Sequence, residues 1–178
     1  MSTKRYLQTL VLSAGMFLFA GAVGANLLAN GDLLESPNPT KMAGAEEHTN
    51  VWKAALGVDA SVPGFKVTRS SIYLAASKKT GKRWLDLNGG GGVIQTIAVT
   101  PSRRYLLKFT LEGDPKGRNE QSVAIQGPGL NTSENVDKEG RRQITTQFTP
   151  TTGEAALEIY ATSGGRGPRI FNLSVEAQ

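Results

Sequence analysis

The sequence predicts an all-β fold, a single jelly-roll β-sandwich of about nine antiparallel strands. Three observations predict it: short apolar runs alternate with polar residues, Gly, Pro, Asn and Asp cluster between the runs, and no long stretch has helical spacing. The 178 residues include 21 Gly and no Cys, so turns are plentiful and disulfides are excluded. A chain of this length is expected to form one domain.

Alternation is clearest in three segments. In 104–112 the odd-numbered residues are apolar and most even-numbered ones are charged or polar, and 154–159 and 171–175 alternate in the same way. The apolar set of the last segment is Phe171, Leu173 and Val175. Each segment is expected to be a half-buried strand of an antiparallel sheet.

Less regular apolar runs predict the remaining strands. These runs lie at 27–34, 65–75, 84–88, 93–99, 121–126 and 142–149. The four glycines at 89–92 are expected to form a flexible hairpin between two of them. Segment 50–57 is the exception, because its composition and the final Gly57 favour one or two helical turns.

Residues 1–25 have the pattern of a secretory signal peptide: a basic start, an apolar run and small residues at the end. Val23 and Ala25 fit cleavage after residue 25, and the bonds after residues 22 and 24 are alternatives. The apolar run is shorter than the about 20 residues of a spanning helix, which argues against a membrane anchor. We therefore expect a mature domain at 26–178 that is secreted or periplasmic, with cell-surface association as an alternative, and that has no transmembrane segment.

Composition excludes several kinds of site. Without Cys, and with His48 as the single histidine, the chain has no zinc finger, thiolate nucleophile or histidine-cluster metal site. Removal of Lys4 and Arg5 with the leader leaves 18 basic side chains of the original 20, against 15 acidic ones. The net charge therefore falls from +5 to +3, and nucleic acid is not an expected partner.

Basic residues nevertheless occur in clusters. If several clusters converge in the fold, they would attract an acidic polymer such as an acidic polysaccharide. The alternative is that they are solvated turn charges spread around the sandwich, which the small net charge favours. The clusters are Lys78–Lys79, Lys82–Arg83, Arg103–Arg104, Arg141–Arg142, and Arg166 with Arg169.

The candidate ligand site lies on segment 84–88. Trp84, Asp86 and Asn88 alternate with two leucines, so they share the strand face opposite the core. Gln95 on the following strand is expected to join them. An aromatic ring stacks on the apolar face of a sugar while amides and carboxylates bind its hydroxyls, so this set predicts a glycan site.

The alternative for this segment is structural. In that interpretation Trp84 shields a strand edge, and Asp86 and Gln95 form hydrogen bonds with neighbouring loops. The other aromatic candidates for stacking are weaker, because packing in the core or in loops accounts for them equally well. They are Trp52, Tyr73 and Tyr160.

No catalytic pattern is recognisable. Glycoside hydrolysis needs two carboxylates that face each other across a cleft, and no carboxylates are spaced in a pattern that indicates such a pair. His48 stands in a polar segment without an implied triad partner. We therefore expect no enzymatic activity.

Four short motifs carry a family resemblance. Segment 26–35, NLLANGDLLE, resembles the opening NLLxNGDFE strand of galactose-binding-like carbohydrate-binding modules, and 62–65, VPGF, resembles their next landmark. Segment 83–115, with RWLDLNG, VIQTI and YLLKFTLEGDP, is similar to the bacterial choice-of-anchor C family and the related plant cell-wall domain-of-unknown-function 642 family. Segment 167–175, GPRIFNLSV, resembles their last strand. The resemblance implies a secreted, non-catalytic sandwich associated with extracellular polysaccharide.

The resemblance also implies a structural Ca²⁺, from which this sequence departs. Leu34 and Phe171 stand where the family has its Glu and Asp ligands, and Glu35, one residue later, would point to the opposite face. We therefore expect no cofactor, with Leu34 and Phe171 closing the edge of the sandwich as apolar residues. Asn30 and Asp32 remain as oxygen donors that could bind an ion together with backbone carbonyls, so a structural calcium is the alternative.

Taken together, these features predict a secreted, lectin-like module for extracellular or cell-wall polysaccharide. The alternative is a structural or protein-interaction module of the bacterial envelope without a sugar site.

Overall fold

The computed structural model describes residues 25–36, 49–54, 57–58 and 62–178. The predicted leader, apart from Ala25, and His48 lie outside these residues. In the part described, no helix has the length and apolar composition of a membrane span. The strands are β1 (Thr49–Ala54), β2 (Gly57–Val58), β3 (Lys66–Thr68), β4 (Ile72–Ser77), β5 (Arg83–Asp86), β6 (Gly92–Ala98), β7 (Tyr105–Glu112), β8 (Glu120–Gly127), β9 (Leu130–Asp137), β10 (Arg141–Phe148), β11 (Glu154–Ala161) and β12 (Arg169–Ala177).

These strands form two six-stranded antiparallel sheets. Sheet 1 has the order β1-β4-β5-β12-β7-β10, and sheet 2 has the order β2-β3-β6-β11-β8-β9. Apolar side chains of both sheets fill the space between them, among them the fully buried Leu85, Phe109 and Ile125. Burying one such side chain contributes about 1.5–3 kcal/mol. The predicted all-β jelly-roll sandwich is confirmed.

Several secondary-structure predictions differ from the structure. Segment 50–57, expected to be helical, holds all of β1 except Thr49, and the pairing of β1 with β4 satisfies the backbone groups that a helix would have bonded internally. The sequence does not predict the polar strand β9. This strand lies at the edge of sheet 2, and its buried residues, Leu130 and Val136, are too far apart to form an alternating pattern. For β1 and β9 the pairing partner, and not the local pattern, decides the conformation. The single strand expected at 65–75 is divided into β3 of sheet 2 and β4 of sheet 1.

The opening segment 26–36 consists of turns and bends instead of the predicted strand. The Asn26 side chain accepts hydrogen bonds from the backbone N–H groups of Leu28 (3.0 Å) and Val175 (2.9 Å) and donates one to the Leu173 carbonyl (3.0 Å). The Leu173 N–H in turn bonds the Gly31 carbonyl (2.9 Å), and a Cβ on Gly31 would lie 2.1 Å from the Leu173 oxygen. The opening motif therefore fastens the start of the domain to its last strand.

The glycines at 89–92 carry the chain from sheet 1 to sheet 2. Gly89 and Gly90 have φ angles of 66° and 77°, which glycine adopts without strain. A Cβ on Gly92 would lie 2.4 Å from Cβ of Tyr160. The expectation of a flexible hairpin was wrong, because β5 and β6 lie in different sheets and the backbone passes close to β11.

Candidate functional site

The structure brings together two of the four predicted site residues, Trp84 and Asp86. Both lie on the outer face of sheet 1, away from the core, and the Trp84 Nε1–H group donates a hydrogen bond to Asp86 Oδ1 (3.2 Å). The Trp84 ring packs against Phe171 with a centroid distance of 5.7 Å and a tilt of 34°. Trp84 is 9% exposed and Phe171 3%, so these two rings form a small second apolar cluster with Ala75.

Asn88 and Gln95 lie elsewhere. Asn88 Oδ1 accepts a hydrogen bond from the Gly167 N–H group (2.8 Å), which links the turn after β5 to the loop before β12. Gln95 points into the sandwich from sheet 2, where its amide bonds the Ala29 backbone in both directions (2.8 and 3.1 Å) and the Gly64 carbonyl. The expectation that Gln95 shares a face with Trp84 therefore differs from the structure, because the chain crosses between sheets after β5.

Phe171 also lies on a different side from the one predicted by alternation. Leu173 and Val175 belong to the core between the sheets, whereas Phe171 belongs to the outer cluster. The register of β12 against β7 shifts between Phe171 and Ser174, and Asn172 has a φ angle of 49°. This bulge reverses the alternation, and no local sequence signal indicates it.

The implied calcium ligands do not fit a metal site. Leu34 is 66% exposed instead of closing the sandwich edge, and Phe171 is packed on Trp84. Asn30 bonds Ser36, Pro63 and the Glu35 N–H group, and Asp32 Oδ1 accepts from the Leu34 N–H group (3.0 Å). Among the described residues no group of three or more acidic or His side chains is placed to hold a metal ion.

Two rows of side chains cross the outer face of sheet 1. The charged row follows the register of β4, β5, β12, β7 and β10 and consists of Tyr73, Asp86, Arg169, Glu112 and Arg141. The aromatic row beside it consists of Ala75, Trp84, Phe171, Thr110 and Gln143. The outer face therefore combines an aromatic pair with carboxylate, guanidinium and amide groups.

Arg169 is the centre of the charged row. Its guanidinium donates to Asp86 Oδ1 (3.0 Å) and lies 3.8 Å from Glu112 and 3.6 Å from Asp114. Arg141 pairs with Glu112 on its other side (3.1 Å), and Arg166 pairs with Asp114 (3.4 Å). The three carboxylates are thus neutralised by arginines.

Asp86 has the largest electrostatic perturbation of this face. Burial raises the pKa of its carboxyl to about 6, against the charge and the hydrogen bond of Arg169, while the Asp114 carboxylate adds to the rise. Because the side chain is 12% exposed, a charge there is poorly solvated. The pKa of Asp86 therefore lies near 6 instead of near 4.

The sequence alone does not indicate the role of Arg169, Glu112 and Arg141. In the sequence, Arg169 and Arg141 stand in basic clusters that either converge or are solvated turn charges, and Glu112 is the polar end of an alternating strand. Their alternation with core residues places each on an outer face, but sequence alone does not say which strands become neighbours. The pairing of β12 with both β5 and β7 makes them one row.

Sheet 2 also has an aromatic residue on its outer face. The Arg69 guanidinium lies 3.4 Å from the centroid of the Tyr160 ring and pairs through two nitrogens with Glu158 (3.0 and 3.1 Å). Gln126 donates to the Tyr160 hydroxyl (3.2 Å). Tyr160 is therefore held by its own neighbours on sheet 2, whereas Tyr73 is an aromatic residue of the outer face of sheet 1.

No protein-family model matches the chain, and no curated protein matches it. Solved structures of carbohydrate-binding modules (CBMs) do match. A CBM4 structure aligns with 85% of this chain and 99% of its own, at 11% identity and a TM-score of 0.53. The C-terminal CBM6 of LamC from Zobellia galactanivorans covers 71% and 99% at 12% identity and a TM-score of 0.49, and TmCBM61 in complex with β-1,4-galactotriose covers 86% and 99% at 13% and 0.44. The CBM4 likeness supports the jelly-roll sandwich, and at this identity it extends to the fold alone.

Proposed function

We propose that this chain is a secreted, non-catalytic module that binds extracellular or cell-wall polysaccharide through the outer face of sheet 1. The observation that carries the proposal is the row of Asp86, Arg169 and Glu112 beside the Trp84–Phe171 pair. The leader pattern at 1–25, the resemblance to the choice-of-anchor C group and the fold likeness to a CBM4 structure support it.

The groups of this face suit sugar hydroxyls. Tyr73 is half-buried, Glu112 and Arg141 have exposed fractions of 25% and 48% in their side chains, and Gln143 is exposed. Beneath them Asp86 and Trp84 are held by their mutual hydrogen bond and by Arg169. Side chains that are fixed before binding lose little conformational entropy on binding, so such a face is prepared for a ligand.

The carboxylates of this face favour binding over hydrolysis. A glycosidase needs an acid and a base that face each other across an open cleft. Here Asp86, Glu112 and Asp114 converge on the Arg169 guanidinium, and Asp114 is 3% exposed. A sugar could reach their rim but not enter between them.

One observation favours the alternative, a structural or protein-interaction module. The Trp84 ring is 9% exposed, which leaves little of it for stacking on a sugar. In that case the aromatic pair and its arginines would only stabilise sheet 1. The two functions differ in whether any glycan binds.

A glycan array with the purified protein tests the proposal, and a pair of variants locates the site. Tyr73→Ala removes a half-buried tyrosine from the outer face of sheet 1, and Tyr160→Ala removes one from sheet 2. We expect Tyr73→Ala to weaken binding about tenfold, the loss of about 1.4 kcal/mol, and Tyr160→Ala to leave it unchanged.

Two results would decide against the proposal. Absence of binding to every neutral and acidic glycan favours the interaction module. Loss of binding in Tyr160→Ala but not in Tyr73→Ala places the site on sheet 2. Circular dichroism and a melting curve for each variant separate these results from loss of the fold.

A further inference from the structure

Two cations from distant strands meet above one aromatic ring on the outer face of sheet 1. The Lys82 ammonium lies 4.4 Å from the Phe171 ring centroid, and the Arg141 guanidinium lies 5.1 Å from it. Lys82 comes from the turn between β4 and β5, whereas Arg141 begins β10 at the other edge of the sheet. The fold therefore brings like charges together, which needs an explanation because such an arrangement is unfavourable in isolation.

The positive charge of this pair is incompletely compensated. In the described part of the chain, no carboxylate lies within ion-pair distance of the Lys82 ammonium. Arg141 pairs with Glu112 (3.1 Å), so one carboxylate stands against the two positive charges of Lys82 and Arg141. Burial and the charge of Arg141 lower the pKa of Lys82, against the opposing effect of Glu112.

The side-chain amide of Gln143 lies on the same face as Lys82 and Arg141. Gln143 lies two residues after Arg141 on β10 and is exposed. Its amide oxygen accepts a hydrogen bond from the Thr110 hydroxyl (3.1 Å), and no described residue accepts a bond from its NH₂ group. The Lys82–Arg141 pair is thus accompanied by a third donor that is oriented by Thr110.

We propose that Lys82, Arg141 and Gln143 form an anion subsite that binds the carboxylate or sulfate group of an acidic polysaccharide. The inference rests on the proposed function, and it names the chemical class of the glycan. An anion would accept charge-assisted hydrogen bonds from the ammonium and the guanidinium together and would relieve the repulsion between them. The buried Phe171 ring beneath excludes water from one side, which strengthens these interactions.

Pairs of polysaccharides that differ only in charge test the subsite. Polygalacturonate and its methyl ester separate carboxylate from neutral sugar on one backbone, and dextran sulfate with dextran does the same for sulfate. Binding is measured by affinity electrophoresis and calorimetry at two salt concentrations, because charge-dependent binding weakens as salt rises. We expect at least one acidic form to bind tenfold or more tightly than its neutral partner.

Charge-matched variants separate the subsite from the net charge of the protein. Lys82→Gln and Arg141→Gln each remove one positive charge from the subsite, and Lys66→Gln removes one from an exposed position on sheet 2. We expect the first two to lose the preference for the acidic form and Lys66→Gln to keep it. A second readout is the melting temperature, which the acidic polymer should raise in the wild type and in Lys66→Gln, but not in Lys82→Gln.

The outcomes distinguish this inference from the function on which it rests. Equal binding of acidic and neutral forms, or equal losses in all three variants, overturns the anion subsite and leaves glycan binding intact. Binding of neutral glycans alone has the same meaning. Absence of binding to every polymer, including those of the array, overturns both.

Discussion

Asp86 is a carboxylate that the fold buries on an outer sheet face, between Trp84 and Arg169. Its two hydrogen bonds, at 3.2 and 3.0 Å, orient the indole and the guanidinium of the charged row. Burial of its charge nevertheless costs free energy, as its raised pKa shows. Asp86 thus orients its neighbouring side chains but lowers the stability of the folded protein near neutral pH.

The stability of the protein should therefore depend on pH through Asp86. Its pKa rises from 3.8 to about 6 on folding, so below 3.8 the group is protonated in both states and costs nothing. As pH rises from about 4 to about 6, Asp86 ionises in the unfolded state before it ionises in the folded state. The free energy of unfolding therefore falls by about 3 kcal/mol over this range. Above pH 6 the loss is complete.

Denaturant unfolding of the wild type and Asp86→Asn between pH 4 and 7 measures this contribution. Asn keeps an acceptor for the Trp84 N–H group but does not ionise. We expect the difference in unfolding free energy between the two proteins to change with pH in this window. The exposed Glu154→Gln is the control and should follow the wild type; parallel curves for Asp86→Asn would contradict the buried charge.

Gln95 gives a second prediction at the scale of one residue. Because its amide holds the Ala29 backbone and the Gly64 carbonyl, Gln95→Leu should lower the unfolding free energy by about 2 kcal/mol. Hydrogen exchange at Ala29 should become faster, since its N–H group loses its acceptor. Thr96→Val, at the adjacent exposed position, serves as control. Unchanged exchange at Ala29 would argue against the hydrogen bond from its N–H group to Gln95.

At the scale of the elements, the segment between β5 and β6 carries the chain from sheet 1 to sheet 2, and a glycine makes this close passage possible. Gly92 starts β6 directly against β11, where Tyr160 covers it. The lack of a side chain is what allows the two strands to pair at this point. The crossing also explains why Trp84 and Gln95 end on different sheets.

Gly92→Ala should therefore destabilise the fold by about 2 kcal/mol, because its Cβ would lie 2.4 Å from Cβ of Tyr160 and 2.8 Å from the Ile159 carbonyl. Gly153→Ala is the matched control, since the nearest atom to its Cβ would be 4.0 Å away. Urea unfolding of both variants measures the difference. Equal stability of the two would mean that the link adjusts without strain.

The chain has no Cys and therefore no disulfides. The stability of the whole molecule rests on the apolar core and on long-range hydrogen bonds. The apolar residues between the sheets come from both ends of the domain, from Leu28 to Val175. The opening segment is bonded to β12 through Asn26 and Gly31. Hydrogen bonds and apolar contacts therefore join the two ends of the domain.

We therefore expect added calcium or a chelator to leave the melting temperature unchanged. The physical reason is that the two positions at which the resembled family has ligands hold Leu34 and Phe171, whose side chains have no oxygen. Differential scanning calorimetry with millimolar calcium, with magnesium as the control, measures this. An increase of several degrees with calcium alone would show a site that these residues do not form.

Much of the fold could be predicted, because alternation is a local property of a strand with one buried face. The segment at 104–112 appears as β7 with Leu107, Phe109 and Leu111 in the core, as its pattern predicts. Phe171 shows the limit of this reasoning, since a bulge in β12 turns it outward. β9 shows the other limit, because a polar edge strand has almost no apolar pattern to detect.

The sequence by itself determined that the chain is a β-sandwich and that Trp84 and Asp86 face away from its core, because the side chains of a strand alternate with a period of two. Only the tertiary structure decided which groups surround them. Asp86 and Arg169 are 83 positions apart and meet because β5 pairs with β12. Lys82 and Arg141 meet over Phe171 for the same reason: strand order is set by long-range pairing across the whole sheet, which no local pattern encodes.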